Sequence, residues 1–135
     1  MNRNVRIVRH FLFPAGILAA HLIASRILGL YQTFPNLDVP FHIAGGISIS
    51  YTAAGLLGFM RTRKWISPID RALFGLILVT TTAAAAMLWE FMEFAADLAF
   101  GTNIQISLAN TMHDQFLGVL GGAAMALRMI RSAPD

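Results

Sequence analysis

Glu90, Glu93 and Asp97 are spaced i, i+3 and i+7, so a helix that carries them presents three carboxylates on one face. They end an apolar run, 72–89, of the length and character of a membrane-crossing helix. Carboxylates in such a place bind a cation, exchange protons or pair with another helix. Other groups are spaced to join them. Asp38 and His42 stand four residues apart, as do Asn110 and Asp114, with His113 beside the latter. Crowded carboxylates repel one another unless a cation or a proton offsets their charge, and imidazole adds a nitrogen donor to an oxygen set. His42, Glu90, Glu93 and Asp114 are therefore the expected ligands of a divalent metal ion, with Asp97, Asn110 and His113 in support. If the site is catalytic, Glu90 or Glu93 is the candidate general base.

Each of these residues also has a plainer reading. The acids could be neutralised by Arg26, by protonation and by hydrogen bonds from Asn110 or Thr111, and serve only helix packing. Asp38 reads first as a helix N-cap. Tyr31 and Trp65 read as interface anchors. His21, near the middle of its helix, reads as a helix-to-helix hydrogen bond or as a proton relay. The sequence shows no signature of a catalytic nucleophile.

The elements that must position these groups are membrane helices. Of 135 residues, 56% are hydrophobic and 13% charged, with a mean hydropathy of +0.63, which describes an integral membrane protein. There is no cysteine, which excludes disulfides, thiolate metal sites and a thiol nucleophile. The net charge of +3 does not point to nucleic acid, because the basic residues flank the apolar runs and serve to orient them.

Four transmembrane helices are expected, at about 11–30, 40–60, 68–100 and 107–128, in one all-α domain spanning 1–135. The first could be a signal peptide, but His21 and Arg26 interrupt its apolar stretch and no small-x-small cleavage site follows, so a retained helix is expected. Ser67-Pro68-Ile69-Asp70 predicts a capped start with Ser67 as N-cap, and Gly101 predicts a stop. Gly46, Ser50, Ala54 and Gly58 form one small-residue strip, and Gly118, Gly122 and Ala126 extend the polar strip of Asn110 and Asp114; such strips let helix backbones approach in lipid.

Every Lys and Arg except Arg26 falls before the first helix, between the second and third, or at the end of the fourth. That distribution predicts cytoplasmic termini and places the acid–histidine groups toward the outer leaflet. Water and lipid headgroups are the expected neighbours there.

Three motifs lie within this frame: His42-Ile43-Ala44-Gly45-Gly46, Trp89-Glu90-x-x-Glu93-Phe94, and Asn110-x-x-x-Asp114-Gln115-Phe116 followed by Gly118 and Gly121. Together they resemble the small YjdF-like inner-membrane proteins and, more distantly, the VanZ-like ones, over about 38–122. The YjdF-like pattern has Asp where this chain has Asn110. VanZ-like proteins have Gln in place of Glu93 and Lys in place of Val39. The resemblance implies a multi-pass protein of a bacterial-type inner membrane carrying the site named above. VanZ-like proteins are associated with glycopeptide resistance, which extends the implication to an envelope role.

Besides a proton or cation pathway, which ranks last because the inner halves of helices two to four offer only Ser50, Thr52 and Thr80 to Thr82 as polar residues, two functions are compatible with the residues. One is a site for a polar lipid or lipid-linked headgroup, with a divalent metal bridging it to the carboxylates. The other is a non-catalytic accessory or assembly subunit of a larger membrane complex, or a homo-oligomer, whose acids and small-residue strips recognise other helices.

Overall fold

The computed structural model describes residues 3–132, so Met1 and Asn2 of the basic N-terminal stretch and residues 133–135 lie outside the described residues. The elements are α1 (Arg3–Leu22) continuing into a π-helical segment (Ile23–Ile27), a short α2 (Leu30–Thr33), a 3-10 turn (Pro35–Leu37), α3 (Asp38–Thr62), α4 (Arg71–Phe100) and α5 (Leu108–Ser132). All regular structure among the described residues is helical.

The boundaries differ from the sequence reading for identifiable reasons. Gly29, at φ 61°, breaks the first helix two residues after the π segment. The second long helix starts at Asp38 because Pro40 falls in its first turn, where its missing N–H has no partner to lose. The third begins later than expected. Asp70, not Ser67, is its N-cap, with Oδ1 accepting from the Leu73 N–H at 2.8 Å. Gly101, at φ 63°, ends α4 as its sequence position suggests.

Among the described residues, three stretches are long and apolar enough to cross a membrane: Val8–Ile27, Asp38–Thr62 and Arg71–Phe100. The fourth expected span, α5, is as long as α3 but carries Asn110, His113, Asp114 and Gln115 in its first half, and its composition is less apolar than theirs. Large apolar side chains such as Leu12, Leu76, Phe91 and Leu98 point outward along the first and third of these stretches, as a lipid-facing surface requires.

Helix α3 is the centre of the bundle. It packs against α5, α1 and α4; α5 also packs against α4, whereas no extended contact joins α1 to α4. Close approach of α3 and α5 depends on glycine. A Cβ on Gly46 would overlap the Gly118 carbonyl oxygen, and one on Gly121 would overlap that of Ile43. Gly58, although in the same sequence strip as Gly46, meets nothing within 4 Å and contributes no such contact.

Pro14, inside α1, explains part of the α1–α3 seam. A proline has no N–H for the carbonyl four residues earlier, which here belongs to His10. The Thr52 hydroxyl of α3 lies 2.8 Å from that carbonyl and also 2.8 Å from that of Ser48, so it supplies the missing donor from a neighbouring helix.

Candidate functional site

α3 and α5 begin, and α4 finishes, at one end of the bundle, and their polar residues meet there. Asp38 is the first residue of α3 and His42 lies one turn on. At that spacing the imidazole Nε2 is 3.2 Å from Asp38 Oδ1 and, across to α5, 3.9 Å from Asp114 Oδ2. Asp114 is buried, and the Asn110 amide one turn earlier donates to its Oδ2. His113 Nδ1 lies 3.6 Å from the other oxygen, but its ring is mostly exposed, so it stands at the margin.

Glu90, Glu93, Asp38 and Asp114 line one cavity of about 130 Å³, with Tyr31 and Gln105 among its walls. Glu90 is only 2% exposed, in a helix whose other buried residues, Gly75, Leu78 and Thr82, are uncharged. The Gln105 amide donates to its main-chain carbonyl at 2.9 Å and to its Oε2 at 3.2 Å. Glu93 accepts from the Trp89 indole N–H at 2.9 Å. These neutral donors hold the carboxylates in place. Arg26 is exposed and, among the described residues, makes no ion pair with them.

Asp97 does not line this cavity. Its carboxylate accepts from the Thr102 hydroxyl at 2.6 Å and from the N–H groups of Ile104 and Gln105 at 2.8 and 2.9 Å. It pins the loop between α4 and α5, and through that loop it sets Gln105 against Glu90.

The sequence reading of Asp38 as a cap needs correction. The N-cap of α3 is Leu37, the Asp38 side chain makes no capping bond, and its carboxylate turns to His42 instead. Tyr31 likewise belongs to the cavity wall. Its hydroxyl is 2.8 Å from His21 Nδ1, and burial, with the nearby Asp38 charge, raises its ionisation well above the usual phenol range. It therefore remains a proton donor. His21 packs edge-on against Tyr31, Phe41 and Trp89. Its spacing to Asp38 gave no hint of this. The i, i+4 relation of Asp38 to His42 was a readable signal; Gln105, in an irregular loop, offered none.

One donor atom each from Asp38, His42 and Asp114 lies within 4.8 Å of the other two. Two ligands on opposite sides of one ion, each at about 2.1 Å, are separated by at most about 4.2 Å. Small side-chain adjustments would close the set around a cation, and Glu90 and Glu93 stand in the adjoining cavity.

A search among curated proteins and another among solved structures find no match. A family model described as "Predicted membrane protein (DUF2238)" matches residues 6–133. With nearly the whole chain matched, the protein belongs to the DUF2238 family of predicted membrane proteins, the family of the YjdF-like proteins whose motifs it resembles.

Proposed function

We propose that the protein binds a divalent cation through Asp38, His42 and Asp114, with Glu90 and Glu93 beside it, and uses the cation to hold the polar head of a lipid or lipid-linked molecule. The observation that carries this reading is the convergence of two carboxylates and an imidazole from two helices, next to a small cavity walled by two more carboxylates. A divalent ion offsets the charge of two aspartates, and its remaining coordination positions are free for a phosphate or hydroxyl oxygen. Glu90 or Glu93 is then the group available as a base.

In this reading α5 is a fourth span. Its polar half is spent inside the bundle, against α3 and α4, so it needs less apolar character than a helix facing lipid on most sides. Both termini are cytoplasmic, and the site lies at the outer leaflet of a bacterial-type inner membrane. The accessory-subunit reading draws less support, because Gly46, Gly118, Gly121 and Gly122 are used in contacts within the chain.

The test is a calorimetric titration of the purified protein with Mn²⁺. One ion per chain is expected, with affinity lowered at least about tenfold in Asp38→Asn, His42→Gln and Asp114→Asn and unchanged in His113→Gln. An unchanged affinity in the first three variants, with folding intact, would remove the site.

A further inference from the structure

Beside the polar cavity runs a second, apolar one of about 450 Å³, and His21 lines both. Pro14 and Leu18 of α1 form one wall, Ala85 and Ala86 of α4 the other, and Gly45 and Ile49 of α3 the floor. It lies between α1 and α4, which make no extended contact with each other. Two hydroxyls in its lining, of Ser48 and Thr82, donate to carbonyls of their own helices at 2.7 and 2.9 Å. They therefore present no unused donor to an occupant. At the polar end stands His42, which also lines the groove while its Nε2 faces Asp38 and Asp114.

We infer that this groove holds one hydrocarbon chain of an amphiphile whose anionic head sits at the Asp38–His42–Asp114 site. The inference rests on the cation reading above and adds the class of ligand: a single-chain lipid phosphate or one chain of a larger lipid-linked molecule. His42, in the lining of the apolar cavity, reaches Asp38 and Asp114 in the lining of the polar one, and His21 lines both, so a polar end and an apolar end lie side by side. The volume suits a single chain. At roughly 30 Å³ per methylene, close to the share of liquid volume that a water takes, a cavity of about 450 Å³ takes on the order of fifteen methylenes.

A chain leaving the bilayer for this groove exchanges one apolar surface for another, so burial alone selects nothing. Selection must come from the head. That separates a binding site from a crevice filled by bulk lipid, and it fixes the experiment. The full chain, in nanodiscs with Mn²⁺, is photolabelled with long-chain lysophosphatidic acid carrying a diazirine on its chain, and in parallel with the same diazirine chain as a methyl ester.

The phosphate probe is expected to label groove residues such as Leu18 and Ala85 at least about fivefold more than the ester. Asp114→Asn should reduce it to the ester level. Gly45→Leu should abolish labelling by both probes, because a Cβ at Gly45 meets nothing within 4 Å and a longer side chain fills the groove without a backbone clash. Gly58→Leu, equally free of clash on the same helix, should leave labelling unchanged. Equal labelling by both probes would overturn the inference while leaving Mn²⁺ binding to stand or fall by titration. Head-dependent labelling that persists without Mn²⁺ would overturn the cation reading and keep the groove. Cross-linking of the groove to a second copy of the chain would overturn the amphiphile as its occupant.

Discussion

Individual side chains in this protein take roles that their sequence neighbours only partly announce. Glu90, Glu93 and Asp114 stood out because ionised groups are costly inside apolar helices, and the structure sets all three around one cavity. Asp38 was open to two readings from its position alone, since the start of a helix suits both a cap and a ligand. Geometry removes the cap, as the carboxylate faces His42 and caps nothing. Thr52 carried no visible signal. Its part depends on a proline in another helix, 38 positions earlier in sequence, and only the packing of α1 on α3 brings its hydroxyl to the His10 carbonyl. Thr52→Val should therefore lower the thermal stability of the protein in detergent by about 1 kcal/mol. Thr52→Ser should restore most of it, because the hydroxyl returns without the methyl group. Equal losses in both variants would assign the effect to packing and not to the hydrogen bond.

At the scale of the elements, apolar length was the strongest signal, and it points to the three stretches long and apolar enough to cross a membrane. Their ends were less legible. An N-cap serine followed by proline is a good start signal, yet the chain uses Asp70 three residues later, whose carboxylate accepts from the Leu73 N–H. The π segment Ile23–Ile27 has no simple sequence pattern. The small-residue strip of α3 was half informative. Gly46 lets the α5 backbone approach, and Gly58 borders open space. Spacing of four identifies a helix face, but only the length and tilt of the partner helix determine how far along that face the contact runs.

For the whole molecule, hydropathy separates α5 from the other three long helices, while its burial against α3 and α4 explains the difference. The four spans proposed above would place both termini on the side that carries nearly all the basic residues. Reporter fusions at Asn36 and Asn103 should then read as external, and fusions at Lys64 and at the C-terminus as cytoplasmic. An external C-terminus would leave α5 outside the bilayer and return Asp114 to water, where its burial would need another cause. A cytoplasmic signal at Asn103 would invert the molecule.

The central claim is that His42 and the carboxylates of α3 and α5 share one cation, and pulsed electron paramagnetic resonance of bound Mn²⁺ reads this directly. Bound Mn²⁺ should show nitrogen-nuclear modulation from one imidazole. That modulation should vanish in His42→Gln, at Mn²⁺ concentrations high enough to keep the weakened site filled, and remain in His113→Gln and in a variant of His21. Manganese bound with oxygen ligands alone in the unaltered protein, or modulation that survives His42→Gln, would contradict the site as described.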